Sequence, residues 1–262
     1  MQSGSTIYIN GKQATWGPAV EAPYLYQQIR TRGHSALRVA EHCRILDAAS
    51  QRLFEREFKA DVRQIEECIA SLLARDHYSK ELSHIVELRL YAEGEYALFA
   101  LETSLYADFE LRALRPRAMV FSDDNPLYDL PTSAARATTE LLRKYAERYG
   151  CSAVVRTDRN GIVRGIDGVA AMAVIDREIV VSQGAESVEK SATIERLRKV
   201  RRERITVRDI SIDELRRADE IFYADVRGIT SIAELEGEVL SDFVANAIGG
   251  CTTTDDDIEI LA

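Results

Sequence analysis

The residues best equipped to ligate a metal or to act as nucleophiles in this 262-residue chain are His34, His42, His77 and His84 together with Cys43, Cys68, Cys151 and Cys251. Metal sites bring such residues together at short, fixed intervals, as in a CxxC pair or an i, i+4 pair of histidines. None of these eight shows that spacing, so no metal site is expected and the histidines read as ordinary polar residues. The cysteines are far apart and read as reduced thiols. The stretch NGIVRGIDG (160–168) carries three glycines, but not in the G-x-G-x-x-G order, and no helix start follows it. Its glycines suit hairpin and bulge positions better than a phosphate cradle. From Arg196 to Arg208 seven basic residues face one acidic residue, Glu203. A basic strip of that kind can meet phosphates, but cations closing a helix also offset its dipole, and no aromatic residues are interleaved to stack on bases. Nucleic acid is therefore not an expected partner.

Composition supports that exclusion. The chain has 34 Lys+Arg against 43 Asp+Glu, a net charge of −9, which opposes a main role in coating polyanions. With 46% hydrophobic residues it can bury a full core as one large or two small domains. No window approaches the apolar length of a membrane helix, and MQSGSTIYINGK lacks a signal-peptide layout, so a cytoplasmic protein with no membrane partner is expected.

The elements that would position a site follow from periodicity. Ile7, Tyr8 and Ile9 run into Asn10-Gly11, a type I′ hairpin pair. From Ser35 to about Phe58 apolar residues recur at helical spacing, and a second helix carries Val62, Ile65, Ile69, Leu72 and Leu73 on one side. Residues 84–112 are strand-like, broken at Glu93-Gly94. Pro116, Pro126 and Pro131 mark a junction. The spacing of Ala134, Ala137, Leu141, Leu142, Tyr145 and Tyr149 then predicts a helix with an apolar stripe, ending at Gly150. Short strands follow, with Asn160-Gly161 as another tight hairpin. A helix capped by Ser187 runs to Val200, DEIFYADVRGI forms a strand, and EVLSDFVANAI forms a last helix. The expected fold class is α/β: a small α+β domain over 1–115, a linker over 116–132, and a larger α/β domain over 133–262 with an acidic tail.

Four segments in order resemble the class IV aminotransferases, the fold-type IV group that uses pyridoxal phosphate (PLP): IYINGK, ALRVAEHCRIL, TDRNGIVRGIDGVAAMAVIDREIVVS and ISIDELRRADEIFYADVRGITSI. The last is similar to that family's EL..ADE.F...T..G..P stretch. The resemblance implies a D-amino acid aminotransferase-like fold and a homodimer, with residues 84–112 as candidate contact region. It also implies a PLP-bearing lysine about eighteen residues before Gly150, where this chain has Thr132. The phosphate arginine implied three residues after His42 is Ile45. The glutamate implied at the pyridine nitrogen is Arg164, and the late phosphate threonine falls near Asp225. A hydroxyl at 132 cannot form the imine or shuttle the α-proton. The resemblance thus implies a degenerate member: no PLP, no catalytic residue, and a cleft in which Arg164, Lys190 and Arg30 hold a small anion or carboxylate. The alternative is a working PLP aminotransferase or lyase with its lysine relocated, Lys190 being the candidate.

Overall fold

The computed structural model describes residues 6–14, 23–104, 110–200 and 204–249. The N-terminal half is one antiparallel sheet backed by two helices. Asn10 and Gly11 take φ of 48° and 76°, the left-handed pair that a tight hairpin demands, and so join β1 (Ile7–Ile9) to β2 (Lys12–Ala14). β3 (Tyr24–Arg32) turns back through β4 (Ser35–Ala36), and α1 (Val39–Phe54) and α2 (Val62–Arg75) follow. β5 (His84–Tyr91) and β6 (Tyr96–Thr103) complete a sheet of order β2-β1-β6-β5-β3-β4. α1 starts later than the apolar spacing predicts, because Ser35 and Ala36 are paired to β3 and Arg38 swings into the left-handed region to begin the helix. Asp61 caps α2, its carboxylate accepting from the Gln64 N–H at 3.0 Å. Leu46, Ile65, Ile69 and Leu72 of the helices are fully buried with Leu25, Ile29, Leu88 and Leu98 of the sheet.

The C-terminal half has two five-stranded sheets. One has the order β16-β15-β7-β8-β9, from β7 (Arg117–Ser122), β8 (Ala153–Thr157), β9 (Val163–Ile166), β15 (Glu234–Leu235) and β16 (Glu238–Val239). β7 and β8 are parallel and therefore need a crossover, which α3 (Ser133–Glu147) supplies. The other sheet has the order β12-β11-β10-β13-β14, from β10 (Ala171–Ile175), β11 (Glu178–Val181), β12 (Ile205–Val207), β13 (Glu220–Asp225) and β14 (Gly228–Ser231). Val155, Ile166, Ala173, Ile221 and Ile232 make the core between the two sheets. α4 (Val188–Val200), the parallel crossover from β11 to β12, and α6 (Phe243–Gly249) cover the second sheet's other face through Leu197, Val244 and Ile248. A one-turn helix, α5 (Ile212–Leu215), is nucleated by a capping box between Ser211 and Glu214.

The mixed α/β class is as expected, and several local readings are corrected. Residues 116–132 are not all linker: β7 is the first strand of the second half, while Leu127 and Leu130 pack on the first core. Asn160-Gly161 does not form a type I′ pair, because only Gly161 has positive φ; Asp158 organises the turn by accepting from the N–H groups of Asn160 and Ile162, each at 2.9 Å. The last helix is shorter than its apolar run, since Glu238 and Val239 pair in β16 and only Phe243 onward is helical. The acidic tail and Cys251 lie outside the described residues. No described helix is long and apolar enough to cross a membrane.

α3 departs most instructively from its pattern. Of the apolar stripe, Leu141 and Tyr145 are 72% and 43% exposed, as is Tyr149 just past the helix at 55%, and the buried residues of the helix are Thr139 and Ala146. The helix is amphipathic with the polar side inward. That is physically consistent only if the space beneath it is itself polar.

Candidate functional site

That space is a cleft of about 520 Å³ between the two halves of the chain. Its walls are β3 (Tyr26, Gln27, Gln28), the inward side of α3, the loop after β9 (Asp167, Gly168, Val169), the start of α4 and the β13–β14 turn. Thr132 opens α3 as its N-cap, accepting from the Ala135 N–H at 3.0 Å. From there Arg136, Thr139 and Arg143 follow at steps of four, three and four residues, one face of one helix.

Each polar group on the α3 side is tied to another. Arg136 donates to Glu87 and to the Tyr24 hydroxyl, both at 2.5 Å, and lies over the Tyr26 ring. Burial raises the Tyr26 phenol to a pKa of about 12, with Arg136 partly opposing, so the hydroxyl stays protonated. Arg156 reaches from β8 to Asp123 and donates to Thr139 Oγ1 at 3.3 Å. Asp167 is buried, accepts from the Tyr223 hydroxyl at 2.9 Å and from the Val154 N–H at 3.0 Å, and has Arg143 Nη2 at 3.5 Å. Burial outweighs Arg143 and the hydrogen bonds and lifts the Asp167 carboxyl above its usual range.

The opposite end is acidic. Glu186 and Glu189 at the start of α4 line the cleft together with Asp225, at the end of β13. Burial, then the nearby Asp225 charge, raises Glu189 to about 7, while Arg30 works the other way. Arg30 crosses from β3, with Nε and Nη2 both donating to the Val226 carbonyl at 2.9 and 2.7 Å.

Of the residues singled out by sequence, Thr132 and Asp225 line the cleft. Ile45 is half-buried on α1 and is not among the lining residues. Arg164 sits outside the lining, donating to Asp158 at 2.6 Å with its guanidinium 4.8 Å from the Tyr128 ring centre, so its charge is already spent locally. Lys190 is 4% exposed and is not itself a lining residue, though its amine meets Glu186, which is, at 2.8 Å, and the Gln183 carbonyl at 3.4 Å. The structure therefore does not bring Arg164, Lys190 and Arg30 together as one anion site. None of the six lysines, Lys12, Lys59, Lys80, Lys144, Lys190 and Lys199, lines the cleft. Arg136, Arg143, Arg156, Asp167 and Tyr223 do line it and were not found from sequence; the periodic polar run from Thr132 to Arg143 was the available signal.

Comparison with solved structures shows a shared fold. The branched-chain amino acid aminotransferase from Escherichia coli superposes with a TM-score of 0.75 at 15% identity, over 93% of this chain and 91% of that one. The branched-chain aminotransferase from Thermoproteus uzoniensis gives 0.77 at 14%, over 93% and 92%, and a fold IV-transaminase from Curtobacterium pusillum gives 0.73 at 18%, over 85% and 80%. No curated protein matches the sequence. The model of the amino-transferase class IV family matches residues 25–235.

These matches correct one expectation. No cofactor was anticipated, yet the family and the structural neighbours are PLP-dependent aminotransferases, and the comparisons point to PLP. The residues present fit that group in part. Arginine donors and tyrosine rings suit a phosphate-bearing aromatic ring, and no lysine is among the residues that line the cleft. On the match across residues 25–235 and the fold it accompanies, the chain belongs to the class IV aminotransferase family.

Proposed function

We propose that this chain uses the cleft to bind a small anionic ligand, PLP included, without a covalent bond to lysine and without transaminase turnover. The observation that carries this reading is the absence of all six lysines from the cleft lining, with Thr132 serving as a helix cap there. PLP chemistry on amino acids needs an amine that both anchors the cofactor and moves the α-proton. The groups in place do other work. Tyr26 presents a protonated phenol, Arg136 is held by Glu87 and Tyr24, and Asp167 is engaged by Tyr223 and Arg143.

The test is to incubate the purified protein with PLP, treat it with borohydride and measure cofactor retained after denaturation, alongside turnover with branched-chain, acidic and D-amino acids. Neither retained cofactor nor turnover is expected. Cofactor fixed by borohydride in the wild type and lost in Lys190→Ala would overturn the reading in favour of a relocated lysine.

We also infer a homodimer. Its support is the outward stripe of Leu141, Tyr145 and Tyr149 on α3, which a second copy would cover. β5, within the strip first expected to form the contact, is an interior strand paired on both sides. Light scattering at micromolar concentration should give twice the 29.4 kDa chain mass, with Leu141→Glu shifting the protein toward monomer. A wild-type monomer would refute the dimer.

A further inference from the structure

We infer that Arg112 is the residue of the cleft that pairs with the ligand's charge, and that the ligand is a monocarboxylate whose apolar body lies against Leu114, Pro116 and Leu130. This rests on the anion-binding reading of the cleft and specifies which group meets the anion. Five arginines line the cleft, and four of them already have a carboxylate: Arg136 meets Glu87, Arg143 meets Glu140 and Asp167, Arg156 meets Asp123, and Arg227 meets Glu102. Arg112 is half-buried, and its guanidinium makes one contact, Nη1 donating to Thr230 Oγ1 at 3.2 Å. Among the described residues no carboxylate stands within ion-pair distance of it. Its Nε and Nη2 have no acceptor among those residues and are not sealed from solvent, so they remain available to an acceptor that enters the cleft.

The fold fixes this side chain from behind. Residues 110–112 lie along β14, with the Ile229 N–H donating to the Glu110 carbonyl at 2.9 Å and the Arg112 N–H donating to the Ile229 carbonyl at 2.8 Å. Gly228 permits that approach, because a Cβ there would stand 2.5 Å from the Glu110 carbonyl oxygen. Leu111 and Ile229 turn into the core on the far face of the second sheet, whereas Arg112 and Thr230, the next residue of each segment, line the cleft. Thr230 is buried and paired across the strands with Tyr223, so the oxygen that holds Nη1 is itself held. A guanidinium positioned before the ligand arrives loses less freedom on binding. The acids decide how much charge the ligand carries. Asp225 and Glu189 line the same cleft and would repel a second negative charge, while Glu110, on the segment of Arg112 itself, is exposed. One unmatched cation therefore suits one negative charge, a carboxylate rather than a phosphate dianion. Leu114, Pro116 and Leu130 line the cleft as well and give the rest of the ligand an apolar wall.

Calorimetric titration of the intact chain with benzoate, with its uncharged analogue benzamide and with inorganic phosphate tests the assignment. Benzoate is expected to bind more tightly than either of the others. Arg112→Gln should weaken benzoate binding at least about tenfold, the loss of a charge-assisted hydrogen bond, and leave benzamide binding unchanged. Arg112→Lys keeps the charge without the planar fork and should fall between the two; it also carries the test if Arg112→Gln does not fold. Wild-type benzoate affinity in the folded variants, or a wild type that binds phosphate or benzamide as tightly as benzoate, would overturn the role of Arg112 and leave the anion-binding reading intact so long as either anion binds. Failure of the wild type to bind benzoate or phosphate up to about 10 mM, a limit set by the affinity scale, would overturn both.

Discussion

Glu87→Ala is expected to destabilise the protein by about 3–5 kcal/mol, the range for removing one partner of a buried ion pair. Glu87 lies in the middle strand of the first sheet and is fully buried. One carboxylate oxygen meets Arg89 Nε at 2.6 Å and the other meets Arg136 Nη1 at 2.5 Å. Arg89 is sandwiched between Tyr24 and Phe99, its guanidinium carbon 4.3 and 4.1 Å from the ring centres, and cannot swing into water without undoing that packing. Removing Glu87 therefore takes the carboxylate from two cations, Arg89 and Arg136, and leaves Arg136 on the cleft wall with the Tyr24 hydroxyl. Urea unfolding at pH 7 measures the loss, and Glu87→Gln, which keeps the shape without the charge, should cost less. A loss below about 1 kcal/mol for Glu87→Ala would mean that the arginines find other partners.

The second large effect is expected on the acid side. His42 is buried on α1 with Nδ1 2.9 Å from Gln27 Oε1, and burial, helped by Arg38, lowers its pKa to about 3. In the unfolded chain it titrates near 6.5. The unfolded state thus binds the proton first, and the stability that His42 contributes is complete above about 6.5 and lost as pH falls toward 3. The slope is at most about 1.4 kcal/mol per pH unit. Glu189 acts in the opposite sense, because its raised pKa of about 7 favours the folded state at low pH and is lost as pH climbs from the unfolded carboxylate value through 7. The two slopes oppose each other between about 4.5 and 6.5. Chemical denaturation at half-unit intervals from pH 4 to 8 should show that His42→Asn removes the His42 slope, leaving stability that declines with rising pH over this window. A variant with the wild-type profile would show that His42 does not govern the acid limb.

Local signals in the sequence transmitted the architecture well wherever one residue's geometry sufficed. Asn10-Gly11 and Ser187 each set a turn or helix start in the way their chemistry requires. The two helices backing the first sheet were legible from spacing because they pack on an apolar face. α3 misled for the complementary reason: periodicity reveals two faces but not which one turns inward, and here the inner wall is the polar cleft. Thr132, singled out through the resemblance alone, lines the cleft as the cap of that helix. Arg164 is not among the lining residues; its guanidinium is held by Asp158, six residues earlier, a partnership that strand alternation does not encode. Asp167 and Arg156 become functional candidates only once β8, β9 and α3 are packed together.

The crossing contacts between the halves have a consequence for the response to salt. Arg30 reaches the Val226 carbonyl, Arg38 meets Glu195 at 3.0 Å, Arg136 meets Glu87 and Arg227 meets Glu102 at 2.8 Å, while the large apolar clusters stay within their own halves apart from Leu111, Leu127 and Leu130. Exposed ion pairs weaken with added salt while buried ones are screened much less, so electrolyte is expected to loosen Arg38–Glu195 and Arg227–Glu102 and to leave Arg136–Glu87 and the Arg30–Val226 hydrogen bond in place. The seam between the halves should then lose strength with salt only in part, and the cleft that lies along it should persist in concentrated electrolyte.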